Sequence, residues 1–279
     1  MRILVPTDFS ATAERAFRLA AEIASKSKGS IIFLHINEKE EIPYFDKIEK
    51  RQEYKQQLES KQLKRLQRLK RKIVKPFMNV MVSTIVAQQP VVNRILQLAK
   101  ENQIELIVMG TQGASGLKKT IVGSHASRVI EKSEIPVLIV PEKYDLKDPK
   151  EIVFATNYHR KDKPALSFTI DLSKIFNAHV TVLHIQHLDL AERENAHHFS
   201  NYAYFLQRTF NDAQLKFKQI NSKNIQETME QIDKDFPVDL LVMVRPDKKF
   251  IEKIFIKSFT KDMACISTIP LLVLPEAEK

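Results

Sequence analysis

Four of the five glycines in the chain, Gly110, Gly113, Gly116 and Gly123, fall within the stretch MGTQGASGLKKTIVGS. Glycine lacks a Cβ, so a loop rich in it can take positive φ and turn its amides toward an anion without steric penalty. Ahead of the stretch, Ile104 to Met109 is a short apolar run with β-branched residues, and Ser124 to Lys132 after it has a helical pattern. Strand, glycine loop and helix start, in that order, gather unpaired N–H groups and the positive end of a helix dipole where a phosphate would sit. Phosphate binding is the chemistry to expect. Two other phosphate motifs do not fit. GLKKT lacks the contiguous glycine, lysine and threonine of a Walker loop, and the glycines follow the fourth strand of the pattern, whereas a GxGxxG dinucleotide turn follows a first strand. Lys118 and Lys119 could attract phosphate as mobile charges or simply face solvent.

The elements that must hold this loop occur twice. ILVPTD at 3–8 returns as IVFATN at 152–157, and IIFLHI at 31–36 returns as VTVLHI at 180–185, both at an offset of 149. IELIVMG at 104–110 matches VDLLVMV at 238–244, and IPVLIVPE at 135–142 matches IPLLVLPE at 269–276, both at an offset of 134. The second copy is thus about fifteen residues shorter, and the missing part corresponds to a basic segment of the first. In the first copy, strands are expected at 2–6, 30–36, 78–86, 104–109 and 136–140, with helices at about 11–27, 44–74, 90–101 and 123–132. The second copy is expected to place strands near 151–156, 179–185, 215–220, 238–244 and 270–274. Apolar strands alternating with helices imply an α/β fold of two tandem, doubly wound, five-stranded parallel sheets, Rossmann-like in kind. The domains are drawn at 1–143 and 150–279, with PEKYDLKDPK at 141–150 as the connection. Asp8 or Ser10 is expected to cap the first helix.

In such sheets ligands bind outside the carboxyl ends of the strands where strand order reverses. Pro6, Thr7 and Asp8 end the first strand, Ile36 and Asn37 the second, and Met109 with the glycine loop the fourth. Gly110, two residues, Gly113, nine residues, then Gly123 and Ser124 is a spacing that resembles the nucleotide loop of the ATP-binding universal stress proteins. ILVPTD and the paired LLIV-type strands agree, and the resemblance covers essentially the whole chain as a tandem of two such domains, of the adenine nucleotide alpha hydrolase-like kind. It implies that Asp8, with Pro6 and Thr7 beside it, lies near ribose and phosphates, and that Ile36 contacts adenine. It implies further that Met109 and Gly110 border ribose and base, and that Gly113, Gly123, Ser124 and His125 line the phosphates. For three of these a plainer role stays open: Asp8 or Ser124 as a helix cap, and Ile36 as core alone. The ligand implied is ATP, or ADP or AMP, with magnesium held mostly by phosphate oxygens and water.

At matching positions the second copy has Asn157 for Asp8, Val244 for Gly110, Asp247 for Gly113 and Lys257 for Gly123, and keeps only Ser258. It is expected not to bind ATP. Family members dimerise through their last strands, so the two domains are expected to pack on each other as a pseudo-dimer through IPVLIVP and IPLLVLP, with homodimerisation of the chain left open. His35 and His184 recur at one strand position, which favours a packed, hydrogen-bonded role over metal binding. No catalytic group or metal site stands out, and the expected function is a nucleotide-dependent stress sensor, the alternatives being a slow ATPase or a nucleic-acid or acidic-partner binding protein acting through the basic helix 44–75.

A hydrophobic content of 43% and 28% charged residues are globular values. The apolar runs are far too short for a membrane helix, and MRILVPTDFS lacks the features of a secretion signal, so a cytoplasmic protein is expected. The single cysteine, Cys265, is expected to be a packing residue. Of the net charge of +10, +9 lies in residues 1–145, much of it between Lys47 and Lys75. Tyr44 to Lys75 contains no glycine and no proline before Pro76, and reads as one long helix with an apolar stripe of Leu58, Leu66, Leu69 and Ile73. Its Lys61, Lys64, Arg65, Arg68, Arg71 and Lys72 are either a solvated face or a patch for nucleic acid or an acidic partner. No base-stacking aromatic cluster accompanies them, which argues against sequence-specific nucleic-acid recognition, and a solvated face rather than a nucleic-acid partner is the expectation.

Overall fold

Each apolar run forms a strand, and each longer amphipathic run packs as a helix across the sheet. The computed structural model describes residues 1–37, 48–77, 79–111, 124–158, 162–187, 192–222, 228, 232, 237–245 and 268–276. The first half runs β1 (Arg2–Thr7), α1 (Ala11–Lys26), β2 (Ser30–Asn37), α2 (Ile48–Val74), β3 (Met81–Gln88), α3 (Val91–Glu101), β4 (Leu106–Gly110), α4 (Ser124–Lys132) and β5 (Val137–Val140). The second runs β6 (Glu151–Ala155), α5 (Lys163–Phe176), β7 (His179–His187), α6 (Glu192–Thr209), β8 (Leu215–Ser222), β9 (Leu240–Val244) and β10 (Leu271–Leu274). The third strand starts later than its sequence pattern suggests. A turn intervenes, in which Phe77 N–H donates to the Val74 carbonyl and Val80 N–H to that of Phe77.

Strand order is β3-β2-β1-β4-β5-β10-β9-β6-β7-β8, so the two five-stranded halves share one continuous sheet among the described residues. All neighbours are parallel except β5 and β10, which meet antiparallel with Leu272 opposite Leu138 and Val273 opposite Val137. Period-two alternation sends Ile3, Val5 and Phe33 toward α1 and α2, and sends Leu4, Leu34 and Ile107 toward α3 and α4. On the first face Phe17 of α1 stacks on Phe33 with ring centroids 4.1 Å apart, and α2 contributes the buried Leu66 and Ile73.

The connection between the halves is packed. Tyr144 is 2% exposed, its carbonyl accepts from Arg15 Nη1 of α1 at 2.9 Å, and Lys26 of α1 pairs with Asp148 at 2.9 Å. Asp239, just ahead of β9, fastens the far end by accepting from the N–H groups of Lys150 and Glu151 at 2.8 and 3.0 Å and pairing with Lys147. Burial alone would raise the Asp239 carboxyl, but Lys147 and the two backbone donors hold it below the usual carboxylate range. Glu105 does the same service ahead of β4, accepting from Arg2 N–H at 2.7 Å. Arg245 crosses the seam to donate to the carbonyls of Glu131 and Ser133 at the end of α4, at 3.1 and 2.8 Å, satisfying acceptors that a helix end leaves open.

Candidate functional site

In the first half strand order reverses between β1 and β4, and the carboxyl ends of both strands lie there. Register pairs Ile3 with Leu106 and Leu4 with Ile107, and carrying it forward sets Thr7 beside Gly110. Pro6 is half-buried, Thr7 buried and Asp8 exposed. The chain then turns sharply: Phe9 has φ of 66°, its N–H donates to Thr7 Oγ1 at 3.0 Å, and Ser10 N–H donates to Asp8 Oδ1 at 2.9 Å. Ser10, not Asp8, is the N-cap of α1, its Oγ accepting from Ala13 N–H at 3.2 Å. The Asp8 carboxylate is left at the rim of the sheet.

Gly110 lets α1 reach this rim. A Cβ there would stand 2.8 Å from the Thr12 carbonyl carbon and 3.0 Å from the Ala13 nitrogen, inside backbone that cannot rotate away. Ile36 and Met109, each 7% exposed, belong to the same buried cluster on the α3 and α4 side. Ser124 is exposed and His125 half-buried in the first turn of α4. The structure therefore brings Pro6, Thr7, Asp8, Met109 and Gly110 to one switch point, with Ile36 on the adjoining strand and Ser124 and His125 opening the next helix. Gly113, Gly116, Gly123, Lys118 and Lys119 lie outside the described residues, as do Asp247, Lys257, Ser258 and Cys265.

Asn37 is the residue that sequence reasoning left as a mere strand end. It is 8% exposed and its Nδ2 has no hydrogen-bond partner among the described residues. A buried donor left unmet costs about 1–3 kcal/mol, a deficit that an arriving acceptor would remove. The only signal in the sequence was a polar residue closing an otherwise apolar strand.

The two strand histidines are structural, as their repetition suggested. His35 Nδ1 lies 2.8 Å from the Thr7 carbonyl and its ring packs on Phe9 at 4.4 Å, while His184 Nδ1 lies 2.8 Å from the Thr156 carbonyl and packs on Tyr158 at 3.8 Å. Burial lowers both from their ordinary value of 6.5, and for His35 the nearby Arg65 adds to the lowering while Thr7, Asp8 and Asn37 oppose it. Below about pH 6.5 the unfolded chain therefore takes up protons that the folded one resists, so stability is full above that pH and declines as pH falls toward the lowered values. Urea midpoints should drop between about pH 7.5 and about pH 5.5, and drop by less in His35→Gln and His184→Gln. An unchanged drop in both variants would remove the histidines from the account.

The second half closes its strand ends differently. Thr156 repeats Thr7 and Tyr158, at φ 63°, repeats Phe9, with Tyr158 N–H donating to Thr156 Oγ1 at 2.9 Å. Thr156 Oγ1 also donates to the buried Asp162 at 2.6 Å and lies 3.3 Å from the hydroxyl of Tyr202, which burial pushes up to about 12. Tyr158 further packs against Tyr202 and Phe199, with ring centroids 5.5 and 5.8 Å away. Among the described residues α5 begins at Lys163, with Asp162 at its N-cap, and Val244 stands where the first half has Gly110.

A family model described as the universal stress protein family matches residues 1–141. Universal stress protein MJ0577 of Methanocaldococcus jannaschii is 29% identical over 154 residues, covering 51% of this chain and 95% of that protein. Universal stress protein YxiE of Bacillus subtilis is 29% identical over 152 residues, covering 50% of this chain and 97% of its own. A crystal structure of a universal stress protein from Archaeoglobus fulgidus superposes with a TM-score of 0.63 at 16% identity, over 99% of this chain and 97% of that one, which extends the likeness of fold through the second half.

Proposed function

This chain belongs to the universal stress protein family, and from that premise we propose that it binds one adenine nucleotide, in the first half, and acts as a nucleotide-dependent sensor. The observation that carries the reading is the meeting of an exposed carboxylate, Asp8, and a glycine strand end, Gly110, at the β1/β4 switch point, with Ser124 opening the helix that follows β4. ATP, with ADP or AMP as its lower forms, suits such a site. Ile36 and Met109 form the apolar wall for the base, Pro6 and Thr7 shape the turn, and Asp8 accepts from ribose. Asn37 Nδ2 finds its missing acceptor on the ligand. Gly113, Gly123, Ser124 and His125 face the phosphates, aided by the dipole of α4. Magnesium would ride on the phosphates and water, since no described cluster of His, Cys, Asp and Glu is built for a metal.

The packed tyrosines and Asp162 at the second set of strand ends, with Val244 in place of a glycine, favour a single site per chain. The β5 and β10 pairing then serves within one chain as the surface through which single-domain relatives would pair, an internal dimer. No helix of the described residues is long and apolar enough to cross a membrane, and a cytoplasmic location belongs to the same reading.

Calorimetric titration with ATP and magnesium should give one site per chain; two equivalent sites would overturn the division of labour. Asp8→Ala should weaken binding by the loss of one charge-assisted hydrogen bond, about 1.5–3 kcal/mol or roughly 10- to 150-fold. Mass spectrometry of nucleotide released on denaturing fresh protein identifies the ligand directly. A turnover rate above about one per second that vanishes in Gly123→Val would replace the sensor reading with that of an ATPase.

A further inference from the structure

Residues 60–75, SKQLKRLQRLKRKIVK, carry eight cations and no acidic residue. Within the fold three of them are engaged. Lys70 Nζ donates to the Val82 carbonyl on the edge strand β3, Lys72 pairs with Glu14 at 2.8 Å, and the Arg65 guanidinium lies 4.0 Å from the centre of the Phe9 ring. The other five, Lys61, Lys64, Arg68, Arg71 and Lys75, are exposed, and none is in an ion pair with a described residue.

Their spacing of three, four, three and four residues sets them in one line along the helix. The buried ridge of α2, Gln62, Leu66 and Ile73 with the half-buried Leu69 between, runs along the opposite side, so the line points to solvent. At 1.5 Å per residue it spans about 21 Å, with successive cations about 5 Å apart along the axis. That is of the same order as the roughly 3.4 Å axial spacing of phosphates along each strand of a duplex, a spacing that widens when a single strand is extended. A protein partner would need an apolar centre with aromatic or aliphatic anchors, and this line has none, whereas contacts to a phosphate backbone need only aligned cations and carry no sequence information. The second half has no equivalent segment, which accounts for the charge imbalance between the halves.

We propose that the outer face of α2 binds the phosphate backbone of a nucleic-acid strand without reading its sequence. The line faces away from the sheet, so this binding is independent of the nucleotide site and of the reading given above for it.

The test uses the full chain and a labelled oligo-dT of about 30 nucleotides followed by fluorescence anisotropy. Saturable binding at low salt is expected, with log K falling against log salt at a slope of about −3.5 for five phosphates on a single strand. Changing Lys61, Lys64, Arg68, Arg71 and Lys75 together to glutamine should weaken binding at least about 100-fold at low salt, and Arg68→Gln alone should reduce the slope by about 0.7. A control chain with glutamine at Lys100, Lys132, Lys143, Lys174 and Arg208, all exposed, loses the same charge and should bind nearly as well as the parent. Matching far-UV circular dichroism establishes that both variants are folded, and Arg68→Gln stands in if the fivefold variant is not. Absence of saturable binding overturns the proposal. So does equal weakening in the control chain, which would make net charge the cause, and so does displacement of the oligonucleotide by polyglutamate at equal charge, which would make the partner an acidic protein.

Discussion

Leu272→Asp is expected to abolish cooperative folding of the whole chain. Leu272 is fully buried in β10, between Val242 of β9 and Leu138 of β5, so its side chain belongs to the core of both halves at once. Its described neighbours are apolar, so among the described residues an aspartate there has no charge partner, and an unpaired buried charge is among the few changes that cost more than about 4–5 kcal/mol. Total stabilities of about 5–15 kcal/mol leave little after such a loss. Leu272→Ala, which leaves only a void, should cost about 2–5 kcal/mol and still fold. Thermal melts followed by circular dichroism separate the two. The halves should not survive as independent folded units, because Tyr144, Asp239 and Arg245 also tie them together. An aspartate variant that melts near the parent temperature would show that the seam contributes little.

Gly110→Val should destabilise the chain as well, though by less, even though valine stands at the matching position of the second half. The added side chain would begin 2.8 Å from the Thr12 carbonyl carbon, so α1 must retreat from β4 or its first turn must unwind. Forcing bulk into a packed region costs about 1–3 kcal/mol and sometimes more. The retreat would also move Ser10 and the turn at Asp8, so nucleotide affinity should fall together with stability. Urea denaturation of Gly110→Val beside Val244→Gly tests the asymmetry; equal losses in both would mean that the helix start is not what sets the need for glycine.

The alternation of strands and helices was legible because both faces of the sheet are covered, which makes strands continuously apolar and helices periodic. The duplication was equally plain. The packed Tyr144 was not, since PEKYDLKDPK has the polar composition of an open connection and its one anchoring aromatic is surrounded by charge. Taken alone, the two apolar tetrapeptides predict only that β5 and β10 are buried; that they meet was an expectation of the family resemblance, and that they exchange hydrogen bonds to join the two sheets into one was not legible. At the site, Asp8 was ambiguous between cap and ligand until Ser10 was found capping α1. Gly110 suggested close approach, but the partner that approaches is the protein's own helix. Asn37 gave no sign beyond its polarity, because an unmet hydrogen bond exists only in three dimensions.

Because β5 and β10 meet antiparallel, the direction in which strands finish is reversed from one half to the other. A typical twist of about 20–25° per strand, over the four steps between the β1/β4 and β9/β6 junctions, turns the second set about a further quarter circle. The two crevices consequently have no common mouth. Anything that happens at the closed strand ends of the second half can therefore reach the first site only through the shared sheet.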